Sequence, residues 1–91
     1  MGVQSFTLSI PGATSLKARR SVVKSLKDRL RSRFNVAVSE TGLQEAVGRC
    51  ELTVVTVGDG RARVDSVLDH VDAFVAAEPR VVVGPVRREL F

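Results

Sequence analysis

Residues 4–39 read QSFTLSIPGATSLKARRSVVKSLKDRLRSRFNVAVS, and a change of periodicity within this stretch decides the fold. Apolar and polar residues alternate from Gln4 to Ile10, which predicts a strand with one buried face. A Pro-Gly-Ala-Thr segment interrupts the alternation. Apolar residues then recur every three or four positions from Leu16 to Arg33, which predicts an amphipathic helix capped by Ser15. Alternation returns from Asn35 to Ser39. The stretch therefore predicts a strand, a helix and a second strand.

The second half of the chain repeats this order. After a loop from Thr41 to Gly48, the β-branched run from Cys50 to Val57 predicts a third strand. Asp59 is the expected cap of a second helix, which closes near Glu78. The apolar residues of that helix share one face: Val64, Val67, Leu68, Val71, Phe74 and Val75. A last strand, from Val81 to Arg88, contains Gly84-Pro85, and because proline lacks an N–H group this strand is expected at a sheet edge.

The order of elements is βαββαβ. Right-handed crossovers then favour an α+β, ferredoxin-like sandwich, in which one four-stranded antiparallel sheet carries both helices on one face. The chain has 91 residues, enough for one hydrophobic core. We therefore expect residues 1–91 to form a single domain.

Composition excludes several classes of protein. The chain is 44% hydrophobic and 26% charged, which excludes a disordered or fibrous protein. No apolar run approaches the ~18 residues of a membrane helix, and the first residues lack the pattern of a signal peptide. A single cysteine cannot form an internal disulfide, which suits a reducing compartment. We expect a cytoplasmic protein without a cofactor, a metal or a membrane partner.

Positive charge is concentrated in the first helix. Residues 17–33 hold eight Lys and Arg residues against Asp28 alone, a net charge of +7 in a chain whose total is +4. Five of the cations fall within ~80° of helical arc, and we expect them opposite Leu26 and Leu30, pointing into solvent. These five, called the basic row below, are Lys17, Arg20, Lys24, Lys27 and Arg31. Such a row is typical of a surface that follows the phosphate backbone of a nucleic acid, and also of a basic face that is only solvated.

The start of the same helix offers a weaker candidate site. Thr14, Ser15 and Arg19 stand beside free N–H groups at a positive helix end, which could hold a small anion. The segment lacks the glycine pattern of a phosphate loop, so capping by Ser15 is the favoured interpretation. A phosphate-ester or acyl-phosphate hydrolase would depend on this pocket alone.

The rest of the sequence contains no recognisable set of catalytic residues. Cys50 is expected to be a small buried residue, and His70 a packed or half-exposed one. Asp65, Asp69 and Asp72 form an acidic stripe, expected to be solvated or set against the first helix. All four phenylalanines are expected in the core or at its ends. The sheet face away from the helices then has no aromatic residue for base stacking, and shows Ser5, Thr7, Ser9, Asn35, Ala37, Ser39, Glu51 and Thr53. This small polar face, or an edge strand, could join two copies in a homodimer that binds protein or a small anion.

Nearly the whole chain resembles the YlxP-like family of small bacterial proteins of unknown function. The resemblance rests on these residues: Pro11-Gly12, Ser15-Leu16-Lys17, Arg20, Ser25-Leu26, Arg29-Leu30-Arg31, Arg33-Phe34-Asn35-Val36, Val38, Glu40, Glu51-Leu52 and Arg88-Glu89-Leu90. Two positions depart from it: Ala18 replaces a commonly acidic residue, and the loop from Leu43 to Val47 lacks a frequent tryptophan. The resemblance implies a ferredoxin-like fold and no established catalysis. Genes of the family often neighbour those of translation initiation and ribosome maturation, which implies an RNA or ribosome partner.

Overall fold

The fold is a four-stranded antiparallel sheet with two helices, seen in a computed structural model that describes residues 1–91. The strands lie in the order β2-β3-β1-β4. This arrangement confirms the ferredoxin-like α+β prediction. The elements are β1 (Gly2–Ser9), α1 (Leu16–Arg33), β2 (Ala37–Gly42), β3 (Arg49–Thr56), α2 (Arg61–Ala76) and β4 (Val82–Leu90).

Helix α1 has the predicted bounds, and its two ends show why. The Ser15 hydroxyl accepts a hydrogen bond of 3.1 Å from the Ala18 N–H, as an N-cap does. At the other end Phe34 is extended, and its N–H still donates to the Leu30 carbonyl. Between them Val23, Leu26 and Leu30 are buried against the sheet.

Other boundaries differ from the sequence predictions. Strand β2 begins at Ala37 rather than Asn35 and continues to Gly42, so Thr41 and Gly42 belong to a strand rather than a loop. Helix α2 ends at Ala76. Its N-cap is Gly60, which has no side chain to accept a bond, and Asp59 instead forms an ion pair of 2.8 Å with Arg63. The prediction of Asp59 as a cap was therefore wrong.

The hydrophobic core lies between the helices and one face of the sheet. Alternating residues of the central strand β1, Gln4, Phe6 and Leu8, are fully buried. Cys50 is buried as predicted, and burial raises the pKa of its thiol to about 11, so the thiol stays protonated near neutral pH. Phe91 is 73% exposed, so the expectation that every phenylalanine belongs to the core or its ends was wrong for this residue. Neither helix combines the length and the apolar character needed to cross a bilayer.

The two edges of the sheet are β2 and β4, which confirms the edge position predicted for the last strand. The pairing of β1 with β4 changes register between Phe6 and Leu8, because Val86 lies opposite Phe6 and Val83 opposite Leu8. Gly84 and Pro85 therefore form a bulge, where a proline without an N–H group is tolerated.

Candidate nucleic-acid interface

The basic row lies on the flank of α1 that faces β2. Most of its members line an open groove of about 480 Å³ between the helix and the strand, whose walls are Arg20, Val23, Lys24, Lys27, Asp28, Arg31 and Glu40. Lys17, Arg20, Lys24 and Arg31 are exposed as predicted, and Lys27 is partly buried. The row flanks the buried face rather than lying opposite it, because the buried Val23 lines the same groove. The row therefore forms one wall of a groove and is not an isolated helix face that projects into solvent.

The cations of the row differ in their partners. Lys24 Nζ lies 2.6 Å from Asp28 Oδ2, and this hydrogen bond lowers the pKa of the Asp28 carboxyl. Arg31 reaches the other oxygen of Asp28 at 3.7 Å. No carboxylate in the structure pairs with Lys17, Arg20 or Lys27. The charges of these three side chains are therefore not offset by an ion pair within the structure.

The opposite wall is the free edge of β2. Arg31 Nη2 donates to the Val38 carbonyl at 2.6 Å, and Gln44 Nε2 donates to the Glu40 carbonyl at 3.1 Å. Backbone groups alternate in direction along an antiparallel strand, so the N–H groups of Val38 and Glu40 also point out of the sheet. The edge of β2 that borders the groove therefore has outward main-chain donors at these two residues.

Arg19 has a structural position rather than a place in the predicted anion pocket. Its side chain is 2% exposed and forms an ion pair with Glu40. Its Nε donates to the carbonyl of Arg49 at 3.1 Å, and its Nη2 donates to the carbonyl of Leu43 at 3.0 Å. These contacts hold the Arg19 side chain in the interior, away from Thr14, which is exposed, and Ser15, whose hydroxyl caps the helix. The loop after β2 helps to hold Arg19, because Leu43, whose backbone is left-handed (φ 60°), accepts a hydrogen bond from Arg19 through its carbonyl.

A second group of arginines, outside the predicted basic row, lies on the α2 side of α1. The guanidinium carbons of Arg29 and Arg33 lie 5.5 Å and 5.6 Å from the centre of the Phe74 ring. Phe74 also meets Phe34 edge to face at 5.7 Å. The spacing of Arg29 and Arg33, one turn apart, is visible in the sequence, but their aromatic partner comes from another helix.

Glu78 anchors this second group. The carboxylate is 5% exposed and accepts hydrogen bonds from Arg80 and Arg29, which lower its pKa to about 2. Arg80 Nη2 also donates to the Ser25 hydroxyl at 3.1 Å. The contacts join the end of α2 to α1.

The acidic stripe of α2 meets β4 rather than α1. Arg88 Nη1 lies 2.7 Å from Asp65 and 2.9 Å from Asp69, and its Nη2 lies 3.9 Å from Asp72. Gln4, buried in phase with the apolar residues of β1, binds both Asp72 and Arg88. Burial opposes the charge of Arg88, yet the two nearer carboxylates raise its pKa. The alternative that set the stripe against α1 was wrong.

The sheet face away from the helices has hydroxyl groups and no aromatic rings. Thr53 Oγ1 lies 3.0 Å from Ser5 Oγ and 2.8 Å from Thr41 Oγ1. Asn35 precedes β2 and is not part of this face. On the other side of the molecule His70 is exposed rather than packed in the core, with Nδ1 2.7 Å from the Ser66 carbonyl. Base stacking on the sheet has no residue to support it.

Comparison with known proteins places the chain in a family. Residues 1–88 match the family described as "Protein of unknown function (DUF503)". The chain belongs to this family. Among its relatives, an "Uncharacterized protein YlxP" of Bacillus subtilis (strain 168) is 33% identical over 79 residues, covering 87% of this chain and 86% of the relative. This membership agrees with the resemblance drawn from the sequence. The description of the family names no activity.

Proposed function

We propose that this protein is a non-catalytic RNA-binding module whose basic row lies along a phosphate backbone, with structured ribosomal RNA as its target. The observation that carries the proposal is the set of three cations without an internal partner, Lys17, Arg20 and Lys27, on one flank of α1. From Lys17 to Arg31 the row rises ~21 Å along the helix axis, enough to meet several phosphates.

Electrostatic attraction alone would supply the affinity. The groove contains lysines and arginines, which bind phosphate oxygens, beside the carboxylates of Asp28 and Glu40, and no aromatic side chain that could stack on a base. Binding should therefore depend on salt and vary little with RNA sequence. Engagement of four or five phosphates would give a log–log salt slope of roughly −3 to −5.

The experiment compares two triple variants that change the net charge equally. Lys17→Glu/Arg20→Glu/Lys27→Glu reverses the unpartnered cations of the row. The control, Arg49→Glu/Arg61→Glu/Arg63→Glu, reverses exposed cations outside α1. Binding to a structured ribosomal RNA fragment is measured by fluorescence anisotropy over a salt series, and circular dichroism checks the fold.

The proposal requires that the loss of RNA affinity depend on where in the structure the charges are reversed. The first variant should bind at least ten times more weakly and lose about two to three units of salt slope, whereas the control should keep most of the parent's slope. Equal weakening by both variants would reduce the effect to net charge. If the parent did not bind the RNA fragment at low salt, the basic row would be only a solvated surface.

A further inference from the structure

The free edge of β4 has unpaired main-chain groups over five residues. Met1 and Phe91 exchange two hydrogen bonds, with Phe91 N–H donating at 2.8 Å and the Met1 amine donating at 3.2 Å. Hydrogen-bonded and non-hydrogen-bonded pairs alternate along an antiparallel ladder. The next bonded residues of β4 are therefore Glu89 and Arg87. The N–H and C=O groups of Val86, Arg88 and Leu90 point away from β1.

The two sheet edges differ in their protection. Side chains of Arg31 and Gln44 occupy the outward carbonyls of β2. No side chain binds the outward carbonyls of Val86, Arg88 or Leu90. An edge left open in this way is a template for another strand. The template is the part of β4 that follows the bulge at Gly84-Pro85, residues 86–90.

We propose that β4 pairs antiparallel with β4 of a second copy of this chain, around a two-fold axis at Arg88. In this register Val86 lies opposite Leu90 of the second copy, and Arg87 opposite its Glu89. The outward-pointing residues 86, 88 and 90 all become hydrogen-bonded positions, which gives six main-chain hydrogen bonds across the axis. The result is a continuous eight-stranded sheet with the helices of both copies on one face.

The side chains of β4 are complementary to themselves in this register. On the open face, Arg87 (82% exposed) meets Glu89 of the second copy, and the reciprocal pair forms on the other side of the axis. On the helix face, the valine and leucine at positions 86 and 90 cover each other. The register also places Phe91, 73% exposed, opposite Pro85 of the second copy. The two Arg88 side chains face each other, but Asp65 and Asp69 offset the charge of each.

The proposed dimer does not depend on the proposed RNA interface. Strand β2 and strand β4 are opposite edges of the sheet, so the two basic rows would lie at the outer ends of the eight-stranded sheet. Seven strand spacings would separate the two β2 strands by ~34 Å. A negative result for RNA binding would therefore leave the dimer proposal intact, and a negative result for the dimer would leave the RNA proposal intact.

The test is sedimentation equilibrium of the full chain from micromolar to millimolar concentration, with variants that leave the monomer ladder intact. Val86→Pro removes an outward N–H group that β1 does not use, and should weaken association at least tenfold. Arg87→Glu places like charges opposite each other and should do the same. Arg87→Glu/Glu89→Arg reverses both partners and should restore the parent's association.

Each outcome decides the proposal. Weaker association of both single variants with recovery in the double variant supports it. A parent that stays monomeric at millimolar concentration overturns it, and so does a dimer unaffected by Val86→Pro, since that dimer would use another surface. Urea unfolding of Val86→Pro, with a slope equal to the parent's, confirms that the variant is folded.

Discussion

Arg31 Nη2 donates a hydrogen bond of 2.6 Å to the carbonyl oxygen of Val38, which fixes the basic row of α1 to the free edge of β2. One cation of the row is thereby committed to the fold. The same side chain covers an outward carbonyl of an edge strand, a position where unpaired groups invite association. The row therefore combines structural cations with others that remain free for a ligand.

Replacement of Arg31 by alanine should reduce stability more than replacement of Lys27. Loss of the bond to Val38 should lower the free energy of unfolding by about 0.5–1.5 kcal/mol, because the side chain is half exposed and water partly replaces it. Lys27→Ala should change it by less than about 0.5 kcal/mol. Urea unfolding of both variants makes the comparison. Equal midpoints would show that the bond to Val38 adds nothing to stability.

The buried ion pair between Arg19 and Glu40 should have a much larger effect. Arg19→Met retains most of the side-chain volume but leaves the Glu40 carboxylate, which is 16% exposed, without its partner. The expected loss is about 3–5 kcal/mol of unfolding free energy. The neighbouring Arg20→Met, at an exposed position, should stay within about 0.5 kcal/mol of the parent.

A double variant separates the charge from the packing. Arg19→Met/Glu40→Leu removes both charges and should recover part of the loss seen in Arg19→Met, since no buried carboxylate is left unpaired. If the loss of unfolding free energy in the double variant equalled the sum of the losses in Arg19→Met and Glu40→Leu, the two residues would be acting independently.

The burial of Arg19 could be predicted from the sequence, but its ion-pair partner could not. It lies seven residues before Leu26, almost two helical turns, so periodicity already places it on the buried face. Its partner could not be read in the same way, because Glu40 was assigned to no element when β2 was expected to end at Ser39. Gln4 is a similar case: it stands in phase with Phe6, but Arg88 and Asp72 come from distant parts of the chain. Periodicity predicted the helices and strands, and Pro85 predicted the edge position of β4, whereas long-range polar contacts depend on strand register.

Glu78 should make stability depend on pH in the acid range. Hydrogen bonds from Arg80 and Arg29 lower the pKa of Glu78 from 4.5 to about 2. A carboxylate with a lowered folded pKa stabilises the protein above its unfolded pKa, and this contribution is lost as the pH falls from about 4.5 to about 2. Glu78→Gln should therefore be less stable than the parent at pH 7, by about 1–2 kcal/mol once screening of the half-exposed arginines is allowed for.

The difference between parent and Glu78→Gln should shrink toward pH 2, where the parent's carboxyl is protonated as well. Urea unfolding at several pH values measures it. Glu45→Gln, an exposed position, is the control and should match the parent throughout. A difference that stayed constant with pH would contradict an ionic contribution from Glu78.

Gly84 is required by the close approach of β1 at the bulge in β4. A Cβ atom at position 84 would lie 2.9 Å from the carbonyl oxygen of Thr7, a main-chain atom that cannot turn aside. Gly84→Ala should therefore lower the free energy of unfolding by about 1–3 kcal/mol. Gly12→Ala, where a Cβ meets nothing within 4 Å, should change it by less than about 0.5 kcal/mol. Urea midpoints at unchanged slope would give both values. A Gly84→Ala protein as stable as Gly12→Ala would mean that the bulge can open without cost, and the contact with Thr7 would not explain the glycine.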